Sequence, residues 1–322
     1  MGCKNTIKKQ INSLFCHLSS FFHQSLIYFL HFFVFRLSSF IFYSYLCRPN
    51  MIKKLVSVIM PTYNSGRHLE DSIESILNQT YNNLELLITD DCSTDELTHE
   101  ILKKYSERDS RVDVCYLTEN HGPGYARDKS IERARGRFIA FCDSDDRWFP
   151  EKLEKQIRYM HQKRCSLCYS SYITCDDLNE ERGIVIAPHK ITFNTLKKDN
   201  KIGCLTAVYD IERLGKKYYM PVIRKRQDWA LFLTILRDCG TAYALTEPLA
   251  YYRIRQNSVS SNKLGLIKYN VQVYQDILDF SPIPSYLYFF FIFIPTHLLK
   301  LIRKKRDSQK YLKNKRNEQK RE

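Results

Sequence analysis

Apolar and polar positions alternate in blocks from residue 55 onward, and the blocks read as strands and helices taking turns. Residues 55–60 (LVSVIM) are a continuous apolar run of buried-strand length. After the turn-forming PTYNSG at 61–66, residues 67–79 repeat Leu69, Ile73, Ile76 and Leu77 on one helical face. A second strand is expected at 84–89 (LELLIT), then a helix with Leu97, Ile101, Leu102 and Tyr105 inward. VDVCYL at 112–117, a helix at 124–135 and RFIAFC at 137–142 repeat the pattern. Strands alternating with helices at this spacing predict right-handed βαβ units on a parallel sheet. Beyond Pro150 the expected elements are a helix to about Lys163, a strand at 165–173, and a polar, irregular lid or acceptor loop at 176–201. A strand at 203–210, a helix at 226–239, two short strands (TAYAL and PLAYYRI) and a helix at 263–280 follow.

The fourth strand ends in Asp143, Asp145 and Asp146. Three carboxylates at the mouth of an apolar strand repel one another and resist burial. A divalent cation with a phosphate behind it would absorb that charge; an acidic turn with a helix cap competes as the blander explanation. An EF-hand fits poorly, with no Gly at the sixth loop position and no Glu at the twelfth. Ligands of parallel sheets bind at the carboxyl ends of the strands. Residues 61–64, Asp90 and Asp91, and residues 143–146 all fall there, which raises the cation site above the bland alternative. Gly122-Pro-Gly124 lacks the third Gly of a dinucleotide fingerprint, and no P-loop is present, so neither an NAD pocket nor a Walker ATPase is expected.

Charge changes the picture at the two ends. Of the net +15 on 322 residues, residues 1–50 supply five Lys/Arg and no acid, and residues 303–322 supply ten basic residues against three acids, which leaves +3 for the 252 between. A nucleic-acid binder carries its basic surface on the folded domain, so nucleic acid is not an expected partner. Basic ends beside apolar segments point instead to an anionic membrane surface. Residues 26–46 are long enough to span a bilayer, about 20 apolar residues being sufficient, but Arg36 interrupts them. Residues 1–50 are accordingly an extension upstream of a start at Met51, or a loose membrane anchor. Residues 261–302 are expected to hold a helix and then an apolar segment at the membrane interface, and 303–322 a disordered basic tail. The eleven cysteines show no regular spacing, as in a reduced, cytosolic protein; Cys165 and Cys168 form one CxxC without a second pair, better read as buried thiols than as a zinc site.

SVIMPTYN (57–64), TDDCSTD (89–95), the block at 120–148 and RQDWAL (226–231) together resemble the family 2 glycosyltransferases of the GT-A fold, over roughly residues 55–260. The resemblance implies an α/β catalytic domain at 51–260, with a mostly parallel central sheet flanked by helices. It implies that Pro61, Tyr63 and Asp91 line the nucleotide-base pocket, Asp91 accepting the uracil N–H. Asp143 and Asp145 stand where the family has its DxD motif: Asp145 would bind Mn²⁺ or Mg²⁺ on the donor diphosphate, and Asp143 would reach the ribose or the metal's water shell. Arg127 would lie near the sugar nucleotide. Asp228 would be the catalytic base, with Gln227 where relatives often have Glu. Arg255, within YYRIRQNS, stands where relatives often have His, so a cation facing the diphosphate is implied and a metal-ligand role is lost.

The implied reaction is inverting transfer of a sugar, from a UDP-sugar by preference, to a glycan or lipid-linked acceptor. Its setting would be bacterial lipopolysaccharide, capsule or teichuronic-type synthesis at the cytoplasmic face of the inner membrane, by a peripheral or weakly anchored enzyme. A sugar nucleotidyltransferase would need a Gly-rich signature after the first strand, and a processive synthase several spans and a Gln-x-x-Arg-Trp motif. A non-catalytic basic membrane-surface module would not need carboxylates at the strand tips. Donor sugar, linkage and oligomeric state stay open, homodimer included. The geometric expectation is that Asp91, Asp145 and Asp228 line one cavity.

Overall fold

The apolar run after Leu55 becomes β1 (Val56–Thr62), a strand buried along its whole length. A computed structural model describes residues 54–254 and 265–320; the expectations for residues 1–50, Met51 and Arg255 lie outside the described residues. The alternation then runs α1 (Gly66–Leu77), β2 (Leu84–Asp90), α2 (Glu96–Arg108), β3 (Val112–Tyr116), α3 (Pro123–Arg133) and β4 (Phe138–Phe141). Next come β5 (Arg147–Trp148), α4 (Lys152–Lys163), β6 (Leu167–Cys175), β7 (Glu181–Val185), β8 (Lys190–Thr192) and β9 (Val208–Asp210). The chain closes with α5 (Gln227–Cys239), β10 (Thr241–Arg253), α6 (Leu266–Asp276), α7 (Pro282–Tyr288), a π-helical turn at Phe289–Phe293, and α8 (Ile294–Gln319).

The sheet runs β3-β2-β1-β4-β9-β6-β10-β5, with β7 on β6 and β8 on β10. β1 is parallel to β2 and β4, β2 to β3, and β6 to β10, whereas β9 lies antiparallel between β4 and β6. The tips of β1, β2 and β4 therefore emerge at one edge, where a parallel sheet presents its ligand crevice. The period of two along β1 sends Val56, Val58 and Met60 to one face and Ile59 to the other. The first face is covered by α1, α2 and α4 through Ile73, Leu102 and Ile157; the second by α3, α5, α6 and the π turn through Ile131, Trp229, Tyr274 and Phe293.

Four expectations are corrected. Residues 176–201 are not irregular: β7 folds back antiparallel on β6, and β8 pairs with the start of β10. The stretch 203–210 is strand only from Val208, because Trp148 Nε1 donates to the Leu205 carbonyl and Gln156 Nε2 to that of Thr206, occupying groups that a strand would pair. The two short strands near the end are one, β10, whose register against β6 shifts on either side of Pro248. Proline has no N–H to donate, so it sits at such a break. Finally, the basic tail continues α8 to Gln319: Ser308 Oγ bonds both backbone groups of Ile184, Tyr311 donates to Glu181, and Lys315 pairs with Glu181 at 2.6 Å.

One buried group works against stability. Lys152 is fully buried, its Nζ has no hydrogen-bond partner among the described residues, and it stands 3.9 Å from the Trp148 ring centroid. Burial pushes its ammonium down to about 7 from the ordinary 10.5. Between those values the unfolded chain holds a proton that the folded chain has released, so stability rises with pH across that window and is lost as pH falls through about 7. Lys152→Met is expected to stabilise the fold by about 1–4 kcal/mol at pH 7. The gain should shrink toward pH 10, which urea melts at the two pH values would check.

Candidate active site

Asn64, at the tip of β1, has a left-handed backbone (φ 46°) and turns its side chain back on the β2–α2 loop. Its Oδ1 accepts the N–H of Thr94 at 2.8 Å and of Asp95 at 3.2 Å, and its own N–H donates to Ser93 Oγ at 2.9 Å. Beside it, Asp90 holds Ser93 through both the backbone N–H (3.0 Å) and the hydroxyl. Pro61 is buried within β1 opposite Thr89, and Tyr63 is 48% exposed.

Asp91 is 2% exposed, and both carboxylate oxygens are engaged. Oδ1 accepts the N–H of His121 at 2.8 Å and Oδ2 that of Gly122 at 2.7 Å, while Asn120 Nδ2 donates to its carbonyl. Asp91 thus ties down the loop that opens α3, where Gly122 takes φ 89°. The next glycine, Gly124, abuts the far side: the Gln227 side chain lies within 2.1–2.7 Å of where a Cβ would stand. One loop therefore joins Asp91 to the head of α5.

β4 delivers the acidic mouth. Asp143 Oδ1 meets Arg127 Nη2 at 2.5 Å, with the guanidinium side chain only 10% exposed. Burial disfavours the Arg127 charge, but Asp143 outweighs it, with Asp228 adding, and holds the guanidinium above its ordinary range. Asp146 is 1% exposed; its Oδ1 accepts the Arg253 N–H at 2.9 Å, and its Oδ2 has no hydrogen-bond partner among the described residues. Burial, then the Asp145 and Asp143 charges, push its carboxyl well above the usual range. Arg253, at the end of β10, bolts the mouth from behind: Nε donates to the Asp145 carbonyl (3.0 Å), Nη1 to that of Asp176 (2.8 Å) and Nη2 to Asn179 Oδ1 (2.7 Å).

Asp228 does not cap α5. Arg226, at φ 69°, is the N-cap, which puts Asp228 in the first turn, half-buried. Its Oδ2 accepts Asn200 Nδ2 at 2.9 Å. The half-buried Cys204 thiol is pushed well up, first by desolvation and then by the charges of Asp143, Asp228 and Asp146, with Arg127 opposing. Asp143 thus pairs with Arg127 directly, Asp228 is near enough for its charge to act on that guanidinium, Asp145 adjoins Asp146, and Asp91 holds the loop that opens α3.

These groups fit a divalent cation held by one or two carboxylates and by substrate phosphates. Like charges crowd the mouth, the buried Asp146 Oδ2 lacks a partner, and no three His, Cys, Asp or Glu side chains form a ready cage among the described residues. Sequence reasoning missed Asn200, which carries no motif, and the bonds of Arg253, whose partners lie 77 and 108 residues away in the chain.

Residues 57–211 match the family described as glycosyl transferase family 2. The chain is 43% identical over 226 residues to TuaG of Bacillus subtilis strain 168, named for teichuronic acid biosynthesis, covering 70% of this chain and 89% of that protein. It is 40% identical over 226 residues to WfgD of Escherichia coli, a UDP-Glc:α-D-GlcNAc-diphosphoundecaprenol β-1,3-glucosyltransferase, covering 70% and 87%. Among solved structures, Staphylococcus aureus TarS with UDP-GlcNAc superposes with a TM-score of 0.56 at 21% identity, over 71% of this chain and 69% of that one. A Pyrobaculum calidifontis mannosyltransferase with GDP-Man and Mn²⁺ gives 0.52 at 17% identity, over 77% and 74%. These last two likenesses establish the fold.

Proposed function

The chain belongs to glycosyl transferase family 2, and from that premise we propose that it moves a sugar from a UDP-sugar to a hydroxyl of a glycan or lipid-linked acceptor, inverting the anomeric carbon, in cell-surface polysaccharide synthesis. The observation that carries this reading is the gathering of Asp143 and Asp228 about the buried Arg127, at the edge where β1, β2 and β4 end. The exposed Tyr63 ring offers the nucleobase a face, beside Pro61 and the loop that Asp91 ties down. Asp145, helped by Asp143, would hold Mn²⁺ or Mg²⁺ against the diphosphate. When bound, the cation neutralises charge on the leaving nucleoside diphosphate. Asp228 takes the proton of the acceptor hydroxyl as its oxygen bonds the anomeric carbon, while the bond to the diphosphate breaks on the opposite face. An α-linked donor gives a β-linked product. The WfgD name, a β-glucosyltransferase using UDP-Glc on a diphosphoundecaprenol-linked sugar, supports the same sense and the same acceptor class. The test is transfer from UDP-glucose and UDP-GlcNAc to a synthetic lipid diphosphate sugar, read by the product's anomeric proton coupling. A β product is expected; an α product refutes inversion.

The C-terminal helices suit an anionic membrane at the cytoplasmic face. Ser285, Phe289 and Phe293 face the protein, whereas Ile283, Phe291, Leu299 and Ile302 on the outward side are 66–75% exposed. Exposed Arg303, Lys305, Arg306 and Lys310 follow. By length and composition Pro282–Gln319 could cross a membrane, yet its inward side is engaged by the protein, which favours lying along the interface. Each cation near anionic lipid adds about 1 kcal/mol, and each large apolar side chain buried adds about 1.5–3 kcal/mol. Phe291→Glu with Leu299→Glu is therefore expected to lower co-sedimentation with phosphatidylglycerol vesicles by at least about tenfold. Unchanged binding would remove this face from the account.

A further inference from the structure

The C-terminal helix touches the proposed base through a short relay. Asn200 Nδ2 donates to Asp228 Oδ2 at 2.9 Å, and Asn200 Oδ1 accepts the N–H of Ile202 at 3.1 Å. The amide is thereby oriented, its donor side toward a carboxylate that accepts. The Asn200 carbonyl accepts from Lys300 Nζ of α8. The adjacent Asp199, 2% exposed, holds Lys300 at 3.0 Å and His297 at 3.4 Å. Burial raises the Asp199 carboxyl, but His297 and Lys300 bring it below the usual carboxylate range, so the contact is ionic. A second contact runs in parallel: Phe293 stacks on His297 (centroids 5.3 Å apart) and lies 5.8 Å from the ring of Trp229, the residue after Asp228. Trp229 Nε1 in turn donates to the Leu196 carbonyl at 2.9 Å. Residues 196–200, the head of α5 and the start of α8 thus form one bonded corner.

We propose that Asn200 is a positioning residue that aims the Asp228 carboxylate at the acceptor hydroxyl, and that Lys300, through Asp199 and Asn200, holds that aim. This rests on Asp228 being the base. Proton abstraction requires the carboxylate oxygen within hydrogen-bond reach of the hydroxyl, and a misplacement of ~1 Å costs about 10²-fold. A carboxylate that has lost the amide swings among its rotamers, so the loss falls on turnover and not on donor binding.

The test uses the full chain in detergent with saturating UDP-sugar and a soluble acceptor analogue. Asn200→Ala is expected to lower kcat by about ten- to a hundredfold with donor KM unchanged. Lys300→Met should lower kcat severalfold and Lys300→Arg restore most of it, whereas Gln309→Ala, exposed on the same helix, keeps the rate. On an Asp228→Asn background, Asn200→Ala should cost nothing further, because the group it positions is gone. A loss as large on that background as on the natural chain, or one found wholly in donor KM, overturns the positioning role. Lys300→Arg no better than Lys300→Met overturns the Lys300 leg. Full rate in Asp228→Asn would instead bring down the base assignment itself, whereas an inactive Asp228→Asn beside a fully active Asn200→Ala sinks the relay alone.

Discussion

Asp228→Asn is expected to slow sugar transfer by ~10²–10⁴-fold, the range that general-base assistance supplies, with fold and donor affinity retained. The substitution keeps size and shape, and the Asn200 amide keeps a neighbour able to accept, so no buried group is stranded. What disappears is the oxygen proposed to take a proton. Retained affinity matters to the interpretation because Asp228 belongs to the electrostatic surroundings of Arg127, which the family resemblance would put near the sugar nucleotide. If donor binding collapsed together with the rate, the carboxylate would be acting on Arg127 and not on the acceptor. Calorimetry with the nucleotide sugar beside single-turnover rates separates the two.

Asp145→Ala should cost several kcal/mol of leaving-group stabilisation, on the order of 10³-fold in rate, and should also abolish the dependence of donor affinity on Mn²⁺. Asp145 is the carboxylate singled out because it is the second Asp of the Asp143-Ser144-Asp145 run, the position to which the family resemblance assigns the cation, directly after β4. In the natural chain UDP-sugar affinity is expected to rise when Mn²⁺ is added. An Asp145→Ala protein that still gains affinity on adding Mn²⁺ would move the cation to another side chain.

β1 to β4 and their helices were readable because a parallel sheet covered on both faces needs continuous apolar strands, and its helices need a stripe every 3.6 residues. β7 was not readable. Glu181 and Arg182 look like loop residues until Tyr311 and Lys315, more than a hundred positions on, come to meet Glu181. The same reciprocity hid α8, whose inward side is polar and matched to β7 and Asp199 instead of to an apolar core. In the site, the strand-tip rule put residues 143–146 at the end of a strand, where they follow β4, and the family resemblance pointed to Asp228, which lies in the first turn of α5. They did not foresee that both oxygens of Asp91 would be taken by backbone N–H groups of the loop that opens α3, thirty positions on, which makes it a tether for that loop. Asn200 escaped because nothing but the folded chain brings it to a residue 28 positions later.

Phe289 and Phe293 have a practical corollary. Both are almost wholly buried in the cluster that contains Trp229 and Tyr274, and the helix they lead into stays bonded to the sheet as far as Lys315, so residues 289–315 are wall and not appendage. A shortened version ending near Arg253 would leave raw aromatic surface beside Asp228 and would precipitate or lose turnover for reasons unrelated to lipid. Trimming for crystallisation should stop no earlier than Lys315, the last side chain seen gripping the sheet.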